Sequence, residues 1–160
     1  MIILGVDPGS LRTGYGAIET DGRRHRLLEM GIFAPPPRQE LPARLRVIHA
    51  GVAALIARLR PDVLAVEDVF HGKNARSALV LGHVRGVVLL AGADAGLAVS
   101  AFPPATVKVQ VTGFGRAEKS QVAMMVARIL ELEEQTPGDA ADALAVALCH
   151  AHLHNVRPAS

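Results

Sequence analysis

The chain begins Met1-Ile2-Ile3-Leu4-Gly5-Val6-Asp7-Pro8-Gly9, an apolar run that halts at an acidic residue and a turn. An unbroken apolar run of this length, bounded by Asp-Pro-Gly, reads as a buried β-strand. The stretch Val63-Leu64-Ala65-Val66-Glu67-Asp68 has the same form, since Pro61 precedes it and carboxylates close it. Two buried strands that each end on a carboxylate set the frame for the rest of the chain.

Between them, Tyr15–Thr20 alternates as a second strand and Leu27–Phe33 as a third, with Asp21-Gly22 as the tight turn that joins them. This is an antiparallel meander. After Pro35–Pro37, the residues Leu41, Leu45, Ile48, Val52, Leu55, Ile56 and Leu59 fall at helical spacing up to Arg60. A polar loop over Val69–Asn74 follows the fourth strand, and Asn74 is the expected N-cap of a long helix, Ala75–Ala95. That helix is apolar almost all round, with Ala78, Gly82 and Gly86 as a ridge of small residues. Leu97–Phe102 is a last short strand, followed by helices over Ala105–Val111, Lys119–Leu132 and Ala140–His154. Each strand after the third returns through a helical crossover, so it should join the sheet parallel to the first. The expected fold is a mixed five-stranded α/β sheet, three strands antiparallel and then two parallel, with helices on both faces.

A chain of 160 residues fits one domain, expected over residues 1–155, with 156–160 as a short tail. Half the residues are hydrophobic and few are aromatic, which suits an ordered core rather than a disordered segment. Cys149 has no thiol partner, and the N-terminus lacks the basic region and length of a signal peptide. Val84–Leu97 comes nearest to a membrane span, but Arg85 and Asp94 interrupt it. A cytoplasmic protein is expected. Net charge is only +2, with a pI near 9.1, compatible with nucleic-acid binding without requiring it. Fourteen of the 17 basic residues are arginine; the lysines are Lys73, Lys108 and Lys119. In so arginine-biased a chain, these mark places suited to a compact ammonium.

Chemistry collects at strand ends in such sheets. Asp7 and Glu67 would lie side by side if their strands are parallel neighbours. Asp139 and Asp142, three apart at a helix start, can face one way. Four converging carboxylates repel one another without a cation, and all-oxygen ligation suits Mg²⁺ or Mn²⁺. Two such ions can drive phosphodiester hydrolysis. Taken singly, each acid also has a plainer reading. Asp7 could serve its turn, Asp139 and Asp142 could cap a helix, and Glu67-Asp68 could be a solvated strand end.

Assembled in order, these motifs resemble the RuvC family of Holliday-junction resolvases, which have the ribonuclease H-like fold. The resemblance covers nearly the whole chain. It rests on Asp7-Pro8-Gly9 with Thr13-Gly14-Tyr15-Gly16, and on Val66-Glu67-Asp68-Val69-Phe70 followed by Lys73-Asn74-Ala75. It rests also on Pro104 to Gln121 with Lys108 and Lys119, and on Asp139-Ala140-Ala141-Asp142. The resemblance implies a homodimer that nicks two strands of a four-way DNA junction symmetrically, leaving 5′-phosphate and 3′-hydroxyl ends. It implies two Mg²⁺ ions per site, replaceable by Mn²⁺, with Asp7 bridging them and Glu67, Asp139 and Asp142 completing the set. Lys108 and Lys119 match basic positions near the scissile phosphate, and Phe70 an aromatic near the junction centre. Lys73, Asn74, Arg76 and Phe114 join them as expected DNA contacts, and a branch-migration helicase as a partner. Asp68 stands where the family commonly has glutamine, which bears on base contacts.

An exposed aromatic in a polar loop, such as Phe70, can stack on an unpaired base, or fold back onto the core. The small-residue helix gives a physical reason for dimerisation, unless C-terminal helices cover it. His150, His152 and His154 offer a weaker metal reading, since they lie at a helix C-terminus that favours imidazolium. Two other functions compete. The Asp-Pro-Gly and Thr-Gly start also resembles the phosphate loop of actin-like and sugar-kinase ATPases, but these need a second domain. A non-catalytic junction-binding module would have no use for four converging acids.

Overall fold

The computed structural model describes residues 1–68, 74–133 and 136–154. The strands β1 (Ile2–Asp7), β2 (Thr13–Thr20) and β3 (His25–Phe33) form the antiparallel meander, and β4 (Val63–Glu67) and β5 (Ala98–Phe102) follow. Their order across the sheet is β3-β2-β1-β4-β5, with β4 parallel to β1 and β5 parallel to β4. The expected pattern of three antiparallel and two parallel strands is therefore what forms. The helices are α1 (Leu41–Leu59), α2 (Ala75–Asp94), α3 (Pro104–Thr112), α4 (Lys119–Ile129) and α5 (Gly138–Leu153).

The period-two alternation of the strands sorts the core into two layers. Ile3, Val63 and Ala65 face α5 together with residues of α3 and α4. Leu4, Val6, Leu64 and Val66 face α1 and α2. Asp7 and Glu67 continue the first of these stripes, so both carboxylates leave the sheet on the α5 side. The register adds to this, since Val6 lies opposite Val66 at the last paired position.

Helix α5 is the central helix: eleven of its 16 residues are buried. Its alanines bring its backbone down onto the strands, and glycines in β1 and β2 receive it. A Cβ at Gly5 would run into the carbonyl oxygen of Ala143, and one at Gly14 into that of Asp139. The opposite face is different. Helix α2 buries only Val84, Val88, Ala91 and Gly92 and leaves Leu79 and Leu90 exposed. By length and composition α2 would also pass for a membrane span, although only 22% of its apolar window is buried.

Several boundaries shift from those expected. Helix α4 stops at Ile129 rather than Leu132, because Glu131 takes a left-handed backbone (φ 52°) and Leu130 turns into the core. Helix α5 begins at Gly138, with Pro137 at the cap position, so Asp139 lies inside the first turn and does not cap the helix. His150 and His152 lie in the last turns of α5. His150 is buried, its ring stacked on His154 with centroids 4.1 Å apart and edge-on to Phe102. The Nδ1 atoms of His152 and His154 lie against the carbonyls of Gln110 and His150, and among the described residues no three His, Cys, Asp or Glu group to hold a metal here. Cys149 is free and buried, and burial pushes its thiol up to about 12.

Two outcomes follow from this packing. Gly5→Ala should destabilise the protein by about 1–3 kcal/mol in chemical denaturation, because α5 must lift off β1. His150 is held down to about 4, from an ordinary 6.5, by burial and then by His154. The unfolded chain therefore takes up that proton first. The stability this ring contributes is complete above about 6.5 and falls as pH drops towards 4, by roughly 1.4 kcal/mol per unit. His150→Leu should flatten the pH dependence of the melting temperature across that window.

Candidate active site

Asp7 ends β1 and Glu67 ends β4, adjacent and on one face, and Asp142 reaches towards them from the first turns of α5. A cleft of about 220 Å³ opens beside them, lined by Glu67, Lys108, Lys119 and Asp142 over a floor of Val107, Val122 and Ala145. Helix α3 supplies Lys108, and α4 presents Lys119 as its first residue. The start of α4 is fixed by Gln121, whose side chain accepts from the Glu118 backbone N–H at 2.8 Å.

The electrostatics of the site are those of too much negative charge in too little water. Asp7 is pushed up to about 8, first by burial and then by the charges of Glu67 and Asp142. Glu67 is raised as well, chiefly by burial, while a hydrogen bond from Asp7 works in the opposite direction. Each carboxyl therefore disfavours its own charge beside the other. Lys119 donates from Nζ to Asp142 Oδ2 at 2.7 Å, and this contact raises the lysine.

Asp139 is not part of this group. Its carboxylate pairs with Arg12 Nε at 3.0 Å and points towards the β1–β2 loop. In place of the expected four-fold convergence, Asp7 and Glu67 lie together, Asp142 stands beside them on Lys119, and Asp139 is one turn away and turned aside. Among the described residues no three His, Cys, Asp or Glu side chains close on a single point. Lysine and arginine instead hold the oxygens of Asp142 and Asp139. The donor chemistry nevertheless fits a hard divalent cation. All the ligands are oxygen, two carboxyls are raised by burial and then by neighbouring carboxylates, and the groups that hold the other two are flexible cations.

The remaining expected residues fall into place unevenly. Asp68 turns away from the cleft, its carboxylate 2.7 Å from Arg85 of α2. The Asn74 side chain accepts from the Ser77 N–H at 2.9 Å and caps α2, with Arg76 exposed beside it. Phe114 is 59% exposed after α3, on a turn held by the Thr112 hydroxyl. Phe70 and Lys73 lie outside the described residues. Sequence reasoning missed Arg12 and Arg85. Arg12 meets Asp139 from the other end of the chain and Arg85 meets Asp68 from the following helix, and nothing in local spacing announces such pairs.

The family model described as "Crossover junction endodeoxyribonuclease RuvC" matches residues 3–150. A protein of that description from Desulforamulus reducens is 48% identical over 152 residues, covering 94% of this chain and 93% of its own. One from Citrifermentans bemidjiense is 49% identical, covering 95% and 93%. Among solved structures, Thermus thermophilus RuvC in complex with Holliday junction substrate superposes with a TM-score of 0.92 at 38% identity, covering 97% of this chain and 95% of that one. The yeast mitochondrial Holliday junction resolvase, at 10% identity and a TM-score of 0.70, shares the fold. The family acts on DNA phosphodiester bonds and depends on a divalent metal. A match of this extent leaves no room for the ATPase reading: the chain belongs to the RuvC family of crossover junction endodeoxyribonucleases.

Proposed function

We propose that this protein resolves four-way DNA junctions by paired symmetric hydrolysis, with Asp7, Glu67 and Asp142 as the inner ligands of two Mg²⁺ ions and Asp139 as a fourth. Mn²⁺ should substitute. The observation that carries this reading is Asp7, a carboxyl buried against two others and pushed up to about 8. A group so placed disfavours its own charge until a cation arrives, an arrangement expected of ligands and of little use to a binding module. Bound there, the ions supply the Lewis acidity that activates water and stabilises the leaving oxygen, giving 5′-phosphate and 3′-hydroxyl ends.

The chain's own residues do the rest. Asp7 and Glu67 would hold the ions from two adjacent strand ends. Lys119 leaves Asp142 and, with Lys108 across the cleft, holds the scissile phosphate. Arg76, Asn74 and Phe114 contact the DNA beyond the cleft, and Phe70 and Lys73 are further DNA contacts. Residues 1–155 act as one nuclease domain with a short tail, in the cytoplasm, in concert with a branch-migration helicase.

Paired nicks require two sites, and α2 offers the surface to join them. A groove of about 810 Å³ runs along it, lined by Leu45, Ala78, Leu79, Gly82, Gly86 and Leu90. An exposed apolar helix with a small-residue ridge suits a symmetric partner.

With Mg²⁺, the protein should nick a synthetic four-way junction at symmetric positions and leave a linear duplex of the same sequence intact; equal cleavage of both would reduce it to a general nuclease. Asp7→Asn should drop cleavage by about 10²-fold or more while junction binding persists in a gel shift. The same change should raise the melting temperature of the metal-free protein near neutral pH. An acid raised from 3.8 to about 8 costs stability progressively as pH rises between those values, and asparagine removes that cost. A Cβ at Gly82 meets nothing within 4 Å in the monomer. Gly82→Glu should therefore leave the monomer folded by circular dichroism yet shift sedimentation from dimer to monomer.

A further inference from the structure

Asp139 and Asp142 lie one turn apart on α5, yet a different cation holds each. Asp142 is 18% exposed and paired with Lys119 beside the cleft, whereas Asp139 is 38% exposed and paired with Arg12 on the β1–β2 loop. The backbone of Asp139 cannot follow its side chain, because its carbonyl oxygen packs where a Cβ on Gly14 would be. Only the carboxylate can swing, between Arg12 on one side and the acidic cleft on the other.

The loop that carries Arg12 is itself fixed. The buried Thr13 hydroxyl donates to the Gly9 carbonyl at 3.4 Å, and Arg44 of α1 donates to the Ser10 carbonyl. Leu11 stands 60% exposed at the tip, and the Arg12 side chain is 57% exposed. A guanidinium presented on a held loop, one side-chain length from an acidic site that must accept a phosphate backbone, has two available anions. An exposed ion pair of this kind is weak, so it yields readily to a divalent cation.

Resting on the site as proposed above, we infer that Arg12 is a positioning residue that holds Asp139 out of the acidic site and exchanges it for a DNA phosphate when the site is charged with metal. In the free protein Arg12 competes with the divalent ion for Asp139. In the charged complex its bidentate fork is released to the DNA backbone. Arg12 thus opposes metal uptake in the absence of DNA and strengthens DNA binding in the presence of metal.

The opposite signs make the test. Mn²⁺ binding to the DNA-free protein is measured by calorimetry for wild type, Arg12→Ala and Arg12→Lys. Junction binding, with phosphorothioate linkages at the cleavage positions, is measured by anisotropy against KCl in Mg²⁺ and in EDTA. Arg12→Ala should tighten Mn²⁺ binding about two- to fivefold, as loss of an exposed pair allows. It should also lower the slope of log K against log salt by about 0.9 in Mg²⁺, with a smaller change in EDTA. Arg12→Lys, which keeps the charge, should track wild type in both. Unchanged Mn²⁺ affinity would overturn the inference, as would a slope reduced equally in Mg²⁺ and EDTA, the signature of a plain surface charge. Failure of the wild type to bind Mn²⁺ at all would instead count against the acidic site as a metal centre.

Discussion

The arrangement of this protein depends on how closely α5 lies on β1 and β2. Glycines at positions 5 and 14 leave room for the α5 backbone itself, at the Ala143 and Asp139 carbonyls, rather than for a layer of side chains. That contact delivers Asp142 to the ends of the two strands whose side-chain alternation turns Asp7 and Glu67 the same way. A larger residue at either glycine would separate the acids before it disturbed their chemistry. The catalytic cluster is thus a consequence of core packing, and the alanine-rich composition of α5 serves both.

The site works against the stability of its own fold. Burial and then neighbouring carboxylates raise Asp7 and Glu67, and Lys119 offsets part of the excess charge at Asp142. These arrangements stand where coordination would replace them. These pairings leave no closed ligand set among the described residues, while the electrostatics point to one place. Each carboxylate has found a temporary partner. Asp139 is the more exposed of the two paired acids, at 38% against 18% for Asp142, and so the easier to exchange.

Much of this was legible in the sequence. Buried strands ending at Asp7 and Glu67, the Asp21-Gly22 turn and the helical spacing of α1 gave the topology, because period and turn chemistry are local. The acids could be picked out for the same reason. Their grading could not. Asp139 and Asp142 look equivalent at three-residue spacing, and only the packing of α5 against Gly14 and the reach of Arg12 distinguish them. Likewise, Asp68 next to Glu67 reads as a second acid at a strand end, but Arg85, on the following helix, takes it out of the site. The burial of His150 also escaped local reading, since it depends on Phe102 and on the stacked ring of His154. Pairings across the fold are set by tertiary geometry, and no periodicity encodes them.

The central claim is that Asp7, Glu67 and Asp142 form a metal centre once their protons and the Lys119 contact are displaced. The most direct measurement is a crystal structure of the protein with Mn²⁺, using anomalous scattering to locate the ions. The account predicts anomalous density between Asp7, Glu67 and Asp142, with Lys119 Nζ moved off Asp142. A well-ordered Lys119–Asp142 pair at saturating Mn²⁺, with the ions elsewhere or absent, would contradict it.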